Sequence, residues 1–283
     1  MPGGADRSVI SGDGGPVQLV LSLFPGVDLL GRAFSAAGYC VVLGPDLLWD
    51  ARIEDFSMPP GRVDGIIGGP PCQQYSDANR FRNEEEGDRL VRHFLRIVTE
   101  AEPTWWLMES VRNVPDVQLS HYHVQRLDCY GPEFGCPQTR LRHIQFGHRE
   151  GWIIRPPRTF SGRPVTPVPT VTCAPCGPGD RHSRRCRKQG CPPLPLRSLT
   201  PGARRRVIGN GVPTAIAESL AAAVSRAGPV TPGDCICLCG RQVTWPTRHA
   251  TAACRKRMER RRRGHTRAIT WPEVVGPSRQ IQR

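Results

Sequence analysis

Between Val17 and Glu109, short apolar runs alternate with helical patterns, and that alternation leaves few folds open to the chain. Val17 to Leu23 is an apolar run that stops at Pro25-Gly26, which predicts a buried strand and a tight turn. Leu29 to Gly38 places Leu29, Leu30, Ala33, Phe34 and Ala37 on one face of a short helix. Tyr39 to Leu43 and Val63 to Ile67 read as further strands, the second running into Gly68-Gly-Pro-Pro. Arg89 to Ala101 is helical through Leu90, Phe94, Leu95 and Val98, and Trp105 to Glu109 is another strand. Alternation of this kind builds an α/β domain whose parallel sheet is covered on both faces. Such sheets bind ligands beyond the carboxyl ends of their strands.

After His148 the regular pattern fades, and a helix is expected again only from Pro213 to Val224. The expected organisation is a flexible leader (1–16), a main domain (17–150), a small Cys-containing region (151–197), a return segment completing the domain (198–228) and a basic Cys-rich tail (229–283). No stretch approaches the ~20 apolar residues of a membrane helix. The first residues lack the apolar run of a signal peptide, so a cytoplasmic location and a monomer are expected. The net charge of +14 is carried almost wholly by arginine, with Lys188 and Lys256 the only lysines. Arginine's planar fork suits phosphate, so nucleic acid is the first partner to consider, although a compositional arginine bias would look the same.

Four segments carry chemistry. Cys72 follows a strand in a loop stiffened by Pro70 and Pro71, a place that could hold a nucleophile and that weakens the ordinary reading of a buried structural thiol. Glu109 also ends a strand, so both groups fall on one rim if the two strands are neighbours. Gln138, Arg140 and Arg142 alternate and share a face of an extended segment, either as donors for a phosphate or base, or as a solvated strand edge. Val207-Ile-Gly-Asn-Gly-Val-Pro-Thr reads as a turn into a helix.

In this order and at these separations the segments resemble the cytosine-5 DNA methyltransferase family. Leu23-Phe-Pro-Gly26 with Gly31 and Ala37-Gly38 resembles its first cofactor motif, Pro71-Cys72-Gln73 the nucleophile motif, and Glu109-Ser110-Val111 its Glu-Asn-Val. Gln138-Thr-Arg140-Leu-Arg142 matches its Gln-x-Arg-x-Arg, while Leu199-Thr-Pro201 and Gly209-Asn210-Gly-Val-Pro213 resemble its ninth and tenth motifs. The resemblance spans Val17 to Val224.

It implies a Rossmann-like methyltransferase domain with a mixed, mostly parallel sheet, acting with S-adenosylmethionine on double-stranded DNA in restriction–modification or phage settings. Cys72 would attack carbon 6 of a flipped cytosine, Glu109 would hold ring nitrogen 3, Arg140 would favour the developing anion, and Gln138 and Arg142 would complete the catalytic set. Cofactor contacts would fall on Phe24, Gly26, Asp46, Ile53, Pro70, Asn210 and Val212, with Asp50 a rival to Asp46. Three departures stand out: Asp28 where the first motif usually has a second glycine, Ser110 for Asn, and only Gly202 to Val207 between the ninth and tenth motifs. The alternatives are the same chemistry on RNA, or a catalytically weak DNA-binding descendant.

The cysteines cluster in two places. Cys173, Cys176, Cys186 and Cys191 have zinc-like spacing, with His182 as a substitute ligand, against a reading as four reduced loop thiols. In the tail, Cys237, Cys239 and Cys254 would bind zinc together with either Cys235 or His249. The basic run from Arg255 to Arg263 then either tracks phosphates or is simply solvated.

Overall fold

The computed structural model describes residues 17–76, 81, 83–136, 138–158, 200, 211–244, 247–263 and 268–271. The expected leader, the Cys173–Cys191 cluster with His182, Asn210 and the 202–207 segment lie outside these residues.

The main sheet is built from β1 (Leu19–Leu23), β2 (Cys40–Leu43), β3 (Gly65–Gly68), β4 (Trp105–Ser110), β6 (His123–Tyr130) and β7 (Leu141–His148), in the order β2-β1-β3-β4-β7-β6. β2, β1, β3 and β4 run parallel, β7 is antiparallel to β4, and β6 is antiparallel to β7. The alternation predicts the parallel part of this sheet, and the family resemblance implies the mixed, mostly parallel whole.

The period of two along each strand fills two cores. On β4, Trp105 and Leu107 join one apolar cluster, while Trp106 and Met108 join the other. Helices α1 (Leu29–Ala36) and α3 (Thr214–Val224) cover the first face through Leu30, Phe34, Ile216 and Leu220. Helix α2 (Glu84–Ala101) covers the second through Val91, Phe94, Leu95 and Val98. Asn83 caps α2 by accepting the Glu86 N–H at 3.2 Å, and Glu84, Glu85 and Glu86 sit where the helix dipole favours acids. This charged first turn starts the helix five residues before the apolar periodicity does. Between β4 and β7 the packing is close at Gly147, where a Cβ would come within 2.3 Å of the Trp106 ring.

Described parts of the 229–283 stretch pack onto the rest of the chain. Strand β8 (Ala268–Trp271) pairs in parallel with β5 (Asp116–Leu119), forming a second sheet whose Val117, Leu119 and Ile269 add to the α2 core. Residues 233–244 and 247–263, including helix α4 (Ala252–Arg262), meet the β6 side of the main sheet through Arg257 at Asp128 and Arg241 at Glu133. At Gly240 (φ +71) a Cβ would come within 2.8 Å of Leu127 and 2.9 Å of the Ile154 carbonyl. At the other edge, β2 and the turn beyond it leave Val42, Leu43, Leu47, Leu48 and Trp49 exposed. Among the described residues, no helix is long and apolar enough to cross a membrane.

Candidate active site and thiol cluster

The site begins at the turn after β1. Phe24, Gly26 and Asp28 all have left-handed backbone (φ 53, 56 and 54). Only Gly26 does so without a Cβ, and a Cβ built there would meet nothing within 4 Å, so the turn faces open space. Asp28 holds its left-handed position through its side chain, which accepts the Gly31 N–H at 3.1 Å and the Ser22 hydroxyl at 2.8 Å. That explains why this position tolerates an aspartate where the motif usually has glycine. Burial raises the Asp28 pKa, with Ser22 and Gly31 opposing.

Asp46 belongs to the same corner. Its carboxylate accepts the Gly26 N–H at 2.8 Å and the Leu48 N–H at 2.9 Å, tying the end of β2 to the first turn. Phe24 and Ile53 pack on the α2 side, where Arg96 donates to the carbonyls of Ile53 and Phe56 at 2.7 and 2.8 Å. Pro70 is buried, and Val212 joins the core on the α1 side.

β3 and β4 are neighbours, with Gly68 opposite Met108. A Cβ on Gly68 would lie 2.7 Å from the Leu23 carbonyl, and one on Gly69 would lie 3.1 Å from Glu109 Oε2. The glycine pair therefore lets the chain leave β3 between the first turn and the Glu109 carboxyl. Three residues on, half-buried Cys72 opens a turn over Gln73–Tyr75. Tyr75 locks that turn: its hydroxyl donates to Asp88 on α2 at 2.6 Å, and its carbonyl accepts from Asn113 Nδ2 at 3.0 Å. Asn113 follows β4, so the Cys72 turn is bonded to the loop that leaves the Glu109 strand. Neither Tyr75, Asp88 nor Asn113 stands out in the sequence, because each acts through a partner distant along the chain.

Glu109 is 5% exposed, and Arg142 Nε lies 2.5 Å from its Oε1. Burial raises the Glu109 pKa and outweighs the lowering by the Arg142 guanidinium, so the carboxyl holds a proton more tightly than a surface glutamate. Gln138 and Arg140 are buried as well, which removes the solvated-edge reading of this segment. Gly131, one residue past β6, donates to the Arg140 carbonyl at 2.9 Å, and a Cβ on it would lie 2.2 Å from the Gln138 carbonyl. Beside Arg142, His143 is buried and pushed down to about 4, so its imidazole is neutral and meets Asp128 at 2.8 Å as a neutral hydrogen-bond partner. Burial alone would raise Asp128, but the His143 hydrogen bond and the Arg257 and Arg126 charges hold it well below the carboxylate range.

The second cluster is in the C-terminal stretch. The sulfurs of Cys235, Cys237, Cys239 and Cys254 all lie within 4.8 Å of one another, and all four residues are buried. Cys235–Cys237 and Cys239–Cys254 are 3.5 and 3.6 Å apart. Sulfurs about 2.3 Å from a tetrahedral zinc lie about 3.8 Å from each other, so the set fits that metal. Cys235 stands within this set beside Cys237, Cys239 and Cys254, and His249 does not. The Ala250 N–H reaches Cys235 Sγ at 3.3 Å and the Thr251 hydroxyl reaches Cys254 Sγ at 3.1 Å, as donors that favour thiolates.

Residues 49–170 match the family described as C-5 cytosine-specific DNA methylase. The type II methyltransferase M.AgeI of Thalassovita gelatinovora is 30% identical over 118 residues, 37% of this chain and 28% of that protein. The type II methyltransferase M.HgiDI of Herpetosiphon aurantiacus is 38% identical over 102 residues, 31% of this chain and 32% of that protein. The matches thus span about a third of each relative's length. Among solved structures, the Entamoeba histolytica methyltransferase EhMeth superposes with a TM-score of 0.51 at 12% identity, covering 73% of this chain and 97% of that one, a likeness of fold.

Proposed function

We propose, from the match of residues 49–170 to the C-5 cytosine-specific DNA methylase family, that this chain belongs to that family and methylates carbon 5 of cytosine in double-stranded DNA. The observation that carries this reading is the buried Glu109 carboxyl, kept protonation-prone on the same rim as the Cys72 turn and tied to it through Asn113.

Cytosine's carbon 5 is a weak nucleophile. The Cys72 thiolate bonds to carbon 6, and the electron pair displaced from the 5,6 double bond makes carbon 5 nucleophilic. Glu109 donates its proton to ring nitrogen 3, offsetting the charge that builds there, while Arg142 orients the carboxyl. Arg140 and Gln138, buried on the approach to β7, supply donors to the base. Once carbon 5 carries its methyl, loss of the carbon 5 proton and departure of Cys72 restore the ring. The base must leave the duplex to reach this rim, at a cost of a few kcal/mol.

The open first turn fits S-adenosylmethionine, which supplies the methyl group when bound. Phe24, Gly26, Asp46, Ile53, Pro70 and Val212 would hold it, with Asn210 from the return segment. The four buried sulfurs would hold one zinc ion in a structural role.

The test is transfer of labelled methyl to unmethylated DNA by wild type and Cys72→Ser. Incorporation as 5-methylcytosine by wild type, reduced on the order of a thousandfold or more in a folded Cys72→Ser protein, is the expected result. Equal incorporation by both proteins would remove Cys72 from the reaction. Transfer to transfer RNA in place of DNA would move the substrate.

A further inference from the structure

Helix α4 has no apolar face. From Ala252 to Arg262 it carries five arginines and one lysine against a single glutamate. A helix of such composition gains little from packing and repels itself, yet three contacts fix this one on the protein. Cys254, Arg257 and Met258, spaced i, i+3 and i+4, form its inner face: Cys254 enters the sulfur cluster, Arg257 pairs with Asp128, and Met258 packs beside the sulfurs. The same module is tied down again where Arg241 donates to both Glu133 oxygens at 2.8 Å and Asp234 pairs with Arg155.

The Asp128 and Glu133 anchors share one end of the sheet. Asp128 stands opposite His143, next to the Arg142 that meets Glu109, and Glu133 lies in the turn that packs on the Gln138–Arg140 backbone. The β6 edge therefore holds α4 on the flank of the rim carrying Cys72 and Glu109. Arg255, Lys256, Arg260 and Arg262 remain exposed, as does Arg248 before the helix. The acids closest to this face on the neighbouring elements, Asp128 and Glu133, are already consumed by Arg257, Arg241 and Arg158.

We propose that α4 is a phosphate grip for the DNA duplex beside the catalytic rim, and that zinc in the Cys235–Cys237–Cys239–Cys254 set is what holds it there. The inference rests on the DNA-methyltransferase reading only for the identity of the duplex. It adds a binding surface that the catalytic motifs do not contain. Each phosphate neutralised by a basic side chain adds about 0.9 to the slope of log affinity against log salt.

The experiment uses the full zinc-replete chain, a 30-base-pair duplex and a salt series, with wild type beside a triple variant, Arg255→Gln, Lys256→Gln and Arg260→Gln. These side chains are exposed, so the fold is kept. Binding at least about tenfold weaker at low salt, with a slope smaller by about one to three, is expected. Metal analysis should find about one zinc per chain, and zinc removed by chelation should weaken duplex binding as the triple substitution does. An unchanged slope and affinity in the triple variant overturns the grip, and a zinc-free chain that binds the duplex as tightly as the metal-bound one overturns the metal's part. A variant that loses transfer RNA binding while duplex binding is unchanged reassigns the surface to RNA. Methyl transfer is scored separately. A wild type that grips the duplex through α4 but transfers no methyl keeps this inference and sinks the enzymatic reading, whereas methylation with an undiminished triple variant does the reverse.

Discussion

The rim that carries Cys72 and Glu109 rests on two apolar clusters, one on each face of the sheet, whereas residues 233–244 and 247–263 gather around four sulfurs with, among the described residues, Val243, Ala250 and Met258 packed against them. In the first region apolar burial supplies the stability, at roughly 25 cal/mol per Å², and polar groups such as Glu109 are the exceptions it carries. In the second, arginine-rich sequence leaves too little apolar surface for a core, and thiols that can share a metal take its place. A buried polar rim and a charged surface make opposite demands on a chain, and this one meets them with two kinds of interior.

The sharpest break would come from Glu109→Gln, which keeps the shape and removes the ionisable proton. The turnover rate should fall by about 10² to 10⁴ with little change in DNA affinity, measured by single-turnover methyl transfer. The pH dependence has a definite sign. A carboxyl whose pKa is raised on folding contributes stability that is full below its unfolded pKa and is lost as pH rises through the raised folded value. Wild type should therefore lose thermal stability relative to Glu109→Gln as the solution becomes less acidic across that window, and its activity should decline on the alkaline side as the proton leaves.

Zinc removal should separate the two regions. Amide exchange over 233–263 should rise sharply under chelation while α2 and β4 stay protected, as expected where metal rather than apolar packing holds the segment. Loss of protection throughout would mean that the two regions fold as one unit. Gly147→Ala probes the opposite interior: the added methyl meets the Trp106 ring, and overpacking should cost about 1–3 kcal/mol in denaturant unfolding. Asp28→Gly should be nearly neutral, within about 1 kcal/mol, because relief of the left-handed backbone offsets the lost cap.

How far the sequence revealed all this varied with the kind of interaction. β1, β3 and β4 were legible because they are buried on both sides and read as continuous apolar runs, and the order of motifs placed Cys72 and Glu109 on neighbouring strand ends. β7 was harder to see. Its interior positions include Arg142, His143, Gln145 and His148, buried polar side chains that hide a strand from any hydropathy pattern. Gln145 works by bonding across to β5, accepting the Val117 N–H at 2.7 Å and donating to the Pro115 carbonyl at 2.8 Å. The first turn of α2 is all acid and resembles a loop until its Asn83 cap is seen. Cysteine spacing narrowed the sulfur set but could not choose between Cys235 and His249, since that choice depends on how the loop folds back.

The pairing of β5 with β8 has a consequence for the order in which this molecule is made. Asp116 and Ala268 stand side by side in the sheet but roughly 150 residues apart along the chain. As the polypeptide emerges from the ribosome, β5 is synthesised long before its partner. Until then Val117 and Leu119 face the α2 core with an unmatched edge beside them. Nascent chains stalled ahead of residue 268 should hold the six-stranded sheet but leave this corner open to proteases.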